Sequence, residues 1–82
     1  MNLIVLTPEQ EYYKGEVRAV TVPGISGRFE VLDNHAPIVS ALVSGQVSIR
    51  SAEGTKQFSI EKGFIEVLNN EVALLVQGLT ES

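Results

Sequence analysis

One stretch carries the strongest structural signals of this sequence: Pro23-Gly24-Ile25-Ser26-Gly27-Arg28-Phe29-Glu30-Val31-Leu32-Asp33-Asn34-His35-Ala36-Pro37-Ile38. It holds two of the three prolines, two of the seven glycines and the only histidine, on either side of a short apolar run. The pattern predicts a strand held between two tightly shaped surface turns. Pro23-Gly24 fits a turn that requires a positive φ at its glycine, and Gly27 allows a second bend. Rigid turns of this kind are typical of a binding surface.

The segments around this stretch are short and rich in β-branched residues. They predict strands over residues 3–6, 17–22, 29–32, 38–42, 46–51, 56–60, 64–68 and 72–76. No segment sustains helical periodicity, so the sequence predicts an all-β fold, either an antiparallel β-sandwich or a small barrel. Residues 9–14 are polar and are given no strand, and the chain after Gly78 is expected to be frayed.

Alternation in the second half of the chain predicts a hairpin whose inward side chains are Val47, Ile49, Phe58 and Ile60. Glu53-Gly54 supplies the turn of this hairpin, and Asn69-Asn70 suits a later turn with left-handed backbone.

A chain of 82 residues supports one domain, residues 1–82, because its apolar residues cannot be divided between two cores. Such a domain buries only about 60 to 65% of the surface that its unfolded chain exposes. The absence of cysteine and the presence of a single histidine exclude disulfides and make a structural zinc site untenable. We therefore expect a partner to contribute to stability.

The charge balance argues against nucleic acid as a partner. The net charge is −4 and the pI is about 4.8, with two tyrosines and three phenylalanines as the aromatic residues. Basic patches and stacking platforms are therefore missing. No apolar run reaches the roughly 18 residues of a membrane span, and the first six residues do not form a signal peptide. We expect a soluble protein.

The sequence contains residue types that can support catalysis, but the motifs that catalytic sites require are missing around them. Asp33, His35 and Ser40 are close in sequence, but no Gly-x-Ser-x-Gly elbow surrounds the serine. Gly24 and Gly27 are followed by neither a helix nor a lysine, as a phosphate-binding loop would require. We predict no catalytic, metal-binding or cofactor-binding residue. His35 is interpreted as a loop residue that holds its own turn or contacts a neighbouring chain.

Two other classes of function stay open from the residues alone. A free-standing β-sandwich carrier or small-ligand-binding module is the second interpretation, although the surroundings of Lys56, Gly54-Thr55-Lys56-Gln57-Phe58, match a biotinyl or lipoyl carrier weakly. A modified lysine would distinguish that module. An enzyme is the third interpretation, and it would require an activity that depends on His35.

The opening stretch, together with Gly45, resembles the epsilon subunit of F-type ATP synthases. Further similarity lies in Thr7-Pro8, in Tyr13-Lys14-Gly15-Glu16-Val17, in Lys62-Gly63-Phe64-Ile65-Glu66-Val67 and in Asn70-Glu71-Val72. The order and spacing of these motifs agree over nearly all 82 residues. The resemblance implies a sandwich of two five-stranded sheets and a non-catalytic rotor component.

In the family that the chain resembles, this domain couples rotation of the c-subunit ring to the gamma subunit during proton-driven ATP synthesis. The resemblance thus implies two partners, gamma and the ring, and a peripheral place at the cytoplasmic face of the inner (plasma) membrane, reached only through the complex. Many members continue into a two-helix hairpin that inhibits ATP hydrolysis. Since this chain ends at Ser82, the sandwich is expected without that inhibitory domain.

The resemblance also implies two sets of contact residues. The side that faces the gamma subunit would include Thr7, His35 and Ser40. The turn that faces the ring would include Ser26, Gly27 and Arg28. Arg28 departs from the acidic or small residue expected at its position.

Overall fold

The computed structural model describes residues 1–81 of the chain. That part contains ten β-strands and no helix, and therefore no helical segment long and apolar enough to cross a membrane. The strands are β1 (Asn2–Leu6), β2 (Glu11–Glu16), β3 (Ala19–Gly24), β4 (Gly27–Leu32), β5 (Ile38–Leu42), β6 (Gly45–Ser51), β7 (Gly54–Ile60), β8 (Lys62–Leu68), β9 (Glu71–Gln77) and β10 (Thr80–Glu81). The predicted all-β class is confirmed.

The strands form one curled sheet that folds over into two layers. The first layer has the order β4-β3-β6-β7-β10, and the second has the order β5-β8-β9-β1-β2. One residue pair, Gly24 with Leu42, joins β3 to β5 and so connects the layers. The β-sandwich with two five-stranded sheets, which the family resemblance implied, is therefore present.

One strand pair differs from the predicted antiparallel arrangement. β1 lies parallel to β9, from Asn2 opposite Glu71 to Leu6 opposite Leu75, whereas every other paired strand in the described structure is antiparallel. The two strands lie at opposite ends of the chain. Strand periodicity reports which face of a strand is buried and not the direction of its neighbour, so this pairing had no local signal.

The core lies between the layers and takes its side chains from both of them. Val20, Val47 and Phe58 of the first layer are fully buried, as are Val5 and Leu74 of the second. The predicted inward set is confirmed, with relative exposures of 0 to 2% at Val47, Ile49, Phe58 and Ile60. No polar or charged residue among those described is buried, so apolar contact dominates the interior.

The first predicted turn lies further along the chain than expected. Pro23 and Gly24 are buried at the end of β3, and Gly24 does not have a positive φ. A Cβ atom at Gly24 would lie 2.7 Å from the Phe29 ring and 2.8 Å from the carbonyl oxygen of Gly27, so glycine is needed there for space. The turn residues are Ile25 and Ser26, and Gly27 has the predicted positive φ, at 126°.

Two short edge strands were missed by the sequence pattern. β2 includes residues 11–14 of the polar segment that was given no strand, and its Tyr12 and Tyr13 pack against the core. β10 pairs with β7, and Leu79 packs against the core, so the expectation of a frayed end is wrong for residues 79–81. Ser82 lies outside the described residues. Edge strands expose one side of their backbone and much of their side-chain surface, so they lack regular alternation.

Tyr12 closes one side of the sandwich. Its hydroxyl donates a hydrogen bond of 2.6 Å to Oε2 of Glu81, and Nζ of Lys56 lies 3.9 Å from the same oxygen. The Tyr12 ring packs edge-on against Phe58, with 5.1 Å between ring centroids. These contacts connect β2, on the outer edge of the second layer, to β7 and β10 of the first.

The substitution Tyr12→Phe should remove an alkaline sensitivity of the fold. Partial burial, together with the hydrogen bond to Glu81 and its negative charge, raises the pKa of Tyr12 from 10.0 to about 12. The unfolded chain therefore loses this proton at a lower pH than the folded chain. The tyrosine's contribution to stability is fully present below about pH 10 and is lost as the pH rises from about 10 to about 12.

Thermal melts across this pH range test the prediction. We expect the Tm of the wild-type chain to fall more steeply than that of Tyr12→Phe. Tyr13→Phe is the matched control, because it removes a phenol from the same strand and leaves the bond between Tyr12 and Glu81 intact. Parallel slopes for the wild type and Tyr12→Phe would contradict the assignment.

Candidate partner interface

An apolar surface lies on the outer side of the second layer. Register places Ala41, Phe64, Leu75 and Leu6 in one row across β5, β8, β9 and β1. These side chains point outward because their neighbours along the strands, such as Ile65 and Leu74, fill the core. We call the outward set the apolar face: Leu6, Val39, Ala41, Phe64, Leu68 and Leu75.

The apolar face is accessible to solvent in the chain on its own. Val39 is 70% exposed, Phe64 57%, Leu68 53% and Leu75 49%. Exposed apolar residues that are neighbours on one surface indicate a site for another macromolecule, whereas scattered ones need no explanation. The four named here lie on three adjacent strands, so they form such a surface.

Two shallow grooves follow this side of the sandwich. One, of about 580 Å³, is lined by Leu6, Phe64 and Leu75 together with Thr7-Pro8. The other, of about 560 Å³, lies at the opposite end of the same strands and has Ile4, Leu68 and Ala73 in its lining. Charged residues line the second groove: Lys14, Glu16, Glu66 and Glu71. Of these, Glu66 lies on the outward side of β8 between Phe64 and Leu68, within the apolar face, and the other three lie at its margin. An apolar surface with a charged margin is the usual composition of a protein interface.

Thr7 lies directly after β1 and borders the first groove. Its hydroxyl accepts a hydrogen bond from the backbone N–H of Gln10 and donates one to the backbone carbonyl oxygen of Gln10, both at 3.1 Å. The side chain therefore shapes the turn between β1 and β2. Thr7 is placed beside Leu6, at one end of the apolar face.

His35 and Ser40 lie on the opposite border of the second layer. His35 precedes β5, and its Nδ1 lies 2.7 Å from the carbonyl oxygen of Ala36. Ser40 is opposite Ile65 in the ladder, so its side chain is on the inner side of β5, and its hydroxyl donates to the Ala41 carbonyl oxygen at 3.2 Å. Ser40 therefore belongs to the edge of the core more than to the outer surface.

The structure does not bring the three residues expected to face the gamma subunit into one cluster. Thr7 follows the end of β1 where Leu6 is opposite Leu75, and His35 precedes the other end of the layer, where Ile38 is opposite Val67. Both border the apolar face, from opposite ends. The apolar side chains between them were missed by the sequence interpretation.

A signal for the apolar face was present in the sequence. β9 contains the run Val72-Ala73-Leu74-Leu75-Val76, which is apolar on both faces, and in the β8 run Phe64-Ile65-Glu66-Val67-Leu68 only Glu66 interrupts the apolar residues on the outward side. A strand that is covered on one side only should alternate between apolar and polar residues. These two runs depart from alternation, and their excess apolar residues indicate a second covered side.

Ser26, Gly27 and Arg28, expected to face the ring, lie together at the end of the exposed turn and in the first two residues of β4. Ile25 at the tip is 67% exposed. Nη1 of Arg28 donates a hydrogen bond to the carbonyl oxygen of Gln46. Pro23, which has no N–H group to donate, lies against Gly45, the residue before Gln46. Arg28 therefore also serves the fold.

The whole chain, residues 1–82, matches the family model described as "ATP synthase, Delta/Epsilon chain, beta-sandwich domain". The chain belongs to this family. It is 48% identical over 75 residues to the ATP synthase epsilon chain of Leptospira borgpetersenii, an alignment that covers 92% of this chain and 59% of the relative. The chain thus spans 59% of the length of that relative.

Other epsilon chains are matched over nearly their whole length. The ATP synthase epsilon chain of Chlorobium limicola is 37% identical over 80 residues, covering 96% of this chain and 91% of the relative. That of Caulobacter vibrioides is 35% identical over 82 residues, covering 100% of this chain and 95% of the relative. The predicted resemblance to the epsilon subunit is confirmed at the level of the family.

Two solved structures share the fold. A chain in the central stalk and c-ring structure of the Tetrahymena thermophila mitochondrial ATP synthase superimposes with a TM-score of 0.87 at 18% identity, covering 98% of this chain and 65% of that chain. A chain in the Euglena gracilis mitochondrial ATP synthase, in an OSCP/F1/c-ring structure, gives a TM-score of 0.89 at 24% identity, covering 96% and 51%. At these identities the comparison establishes a common fold.

Proposed function

We propose that this chain is a central-stalk subunit of an F-type ATP synthase, which passes rotation of the c-ring to the gamma subunit during proton-driven ATP synthesis. Membership of the epsilon-chain family supports this function. The observation that carries it is the apolar face, in which Phe64 and Leu75 are about half exposed side by side across two strands. A surface of this kind suits a long-lived protein partner.

The gamma subunit is proposed to cover the apolar face, with Thr7 and His35 at the two ends of the contact. The turn of Ser26, Gly27 and Arg28 is proposed to contact the ring. The chain exposes 4852 Å² in all, so two interfaces of about 800 Å² each would cover about a third of it. A domain of this size can therefore hold two partners at once.

Transmission of torque needs a rigid body and two stable contacts, and no chemical step by this chain. Asp33, His35 and Ser40 are the residues that could have formed a nucleophilic triad, and each contacts a different group instead. Asp33 accepts a hydrogen bond of 2.8 Å from the amino terminus of Met1, while the His35 ring and the Ser40 hydroxyl contact backbone carbonyl oxygens of neighbouring residues. We assign the chain a non-catalytic role, peripheral at the cytoplasmic face of the inner (plasma) membrane.

The carrier interpretation gains no support from the structure. Lys56 lies within β7 and not at the turn of its hairpin. Its ammonium group is 3.9 Å from Glu81 and 5.2 Å from the centroid of the Tyr12 ring, so it contributes to the contacts that close the sandwich.

Co-expression with the gamma subunit of the same source tests the proposed function. We expect the two chains to co-purify as a stable complex through affinity capture and gel filtration, without other subunits. A gamma subunit from which the epsilon-binding region is deleted is the control. Persistent failure of the intact pair to co-purify, with both chains folded, would refute the proposal.

The substitutions Gly27→Ala and Gly54→Ala form a matched pair that tests the turn proposed to face the ring. Both glycines have positive φ, 126° and 116°, and an added Cβ would meet nothing within 4 Å at either position. Each substitution should therefore lower the free energy of unfolding by about 1–3 kcal/mol, through backbone strain alone. Both variants should lose similar stability in thermal melts.

Only Gly27→Ala should weaken binding of the chain, carried by the gamma subunit, to the isolated c-ring in a pull-down assay. Gly54 lies in the hairpin of β6 and β7, outside the proposed ring contact. An equal loss of ring binding in both variants would mean that the effect follows from stability, and the turn would lose its proposed role.

A further inference from the structure

A side chain on another loop holds the segment that carries His35. Residues 33–37 connect β4 to β5, and we call them the His35 loop. The backbone N–H of Asn34 donates a hydrogen bond of 2.8 Å to Oδ1 of Asn70, which lies in the turn between β8 and β9. The two residues are 36 positions apart in the sequence.

The position of Asn70 is set by contacts other than its bond to the His35 loop. The backbone carbonyl oxygen of Asn70 accepts a hydrogen bond of 3.1 Å from the backbone N–H of Asn2, and this bond connects the turn to β1. The φ of Asn70 is 65° and that of Asn69 is 51°, so both residues have the left-handed backbone that asparagine tolerates. The turn is therefore set by β1, β8 and β9, independently of the His35 loop.

The first residue of the His35 loop, Asp33, is held by the amino terminus of Met1 at 2.8 Å, whereas the contacts of His35 are to the loop itself and to the end of β4. Asn34 of this loop also has a left-handed φ, of 64°, and the His35 amide donates to the Leu32 carbonyl oxygen at 3.1 Å. Pro37 has no N–H group to donate. The bond to Asn70 thus connects the loop to the second layer at the point where Leu68, a member of the apolar face, ends β8.

We infer that Asn70 is a positioning residue for partner binding: its side-chain carbonyl holds the His35 loop in the shape in which it borders the apolar face. This inference rests on the proposed function, in which the gamma subunit covers that face. A loop that is already ordered loses less conformational entropy when a partner binds, so the hydrogen bond should increase affinity without contacting the partner.

The sequence of the turn supplies three informative variants. Asn70→Gly keeps the left-handed backbone and removes the acceptor. Asn70→Asp keeps both a tolerated backbone and an acceptor oxygen, so it is the conservative rescue. Asn69→Gly is the matched control, because it alters the neighbouring left-handed position in the same turn. None of the three changes the apolar face or His35.

Two measurements on the full chain decide the inference. In hydrogen exchange followed by NMR, the Asn34 amide should exchange about 2- to 10-fold faster in Asn70→Gly, the effect of losing one hydrogen bond. Titration with the gamma subunit should show a similar loss, about 2- to 10-fold, in the affinity of Asn70→Gly. Asn70→Asp and Asn69→Gly should match the wild type in both measurements.

Unchanged exchange at Asn34 in Asn70→Gly would overturn the inference. So would faster exchange with an unchanged affinity for the gamma subunit, since the loop would then be held without consequence for binding. A loss that is equal in Asn69→Gly would assign the effect to the turn backbone and also overturn it. If the wild-type chain fails to bind gamma, the proposed function fails, and exchange at Asn34 still decides whether Asn70 holds the loop.

Discussion

Replacing Phe64 with glutamate should abolish the proposed binding to the gamma subunit and leave the fold intact. Phe64 is 57% exposed, at the centre of the row that crosses the apolar face. A carboxylate buried there without a partner would lose its hydration and gain no compensating contact, so we expect at least about a 100-fold loss of affinity. The free energy of unfolding should change by less than about 1 kcal/mol, because the side chain is on the surface.

Leu32→Glu is the matched control for this substitution. Leu32 is 47% exposed and lies on β4, in the first layer, away from the apolar face. Titration calorimetry should give the wild-type affinity for Leu32→Glu and no measurable binding for Phe64→Glu, with both variants folded by circular dichroism. Wild-type binding by Phe64→Glu would place the gamma contact elsewhere on the molecule.

Replacing Phe58 with alanine should largely unfold the chain. Phe58 is the largest fully buried side chain and contacts Tyr12, so it connects β7 with the opposite layer. Phe-to-Ala substitutions in cores cost about 3–5 kcal/mol. A chain of 82 residues has a total stability of only about 4–12 kcal/mol. The loss is therefore comparable to the whole margin of stability.

Phe64→Ala is the comparison that isolates burial, since the same change of residue is made on the outer side of β8. Chemical denaturation should show a loss of less than about 1 kcal/mol for Phe64→Ala, and for Phe58→Ala either a midpoint near zero denaturant or an unfolded baseline. Similar midpoints for the two variants would show that the core does not depend on Phe58.

The strand content of this protein could be predicted because the signals are local. Alternation identified Val47, Ile49, Phe58 and Ile60 as inward residues, and all four are buried. Residues that tolerate left-handed backbone marked Gly27 and the turn at Asn69-Asn70, and all three have positive φ. The same reasoning misassigned Gly24, because a glycine retained for close packing against Phe29 has the same identity as one retained for its φ.

An all-β chain and four residues of its core could be predicted from local patterns, since periodicity and turn chemistry depend on near neighbours, and the motifs of the chain indicated its family. The tertiary structure was needed to show that β1 lies parallel to β9, that Thr7 and His35 lie at opposite ends of one layer, and that the Asn70 side chain accepts a hydrogen bond from the Asn34 backbone. It was also needed to show which apolar side chains of β8 and β9 face solvent. These features depend on pairings between distant segments, which local patterns do not encode.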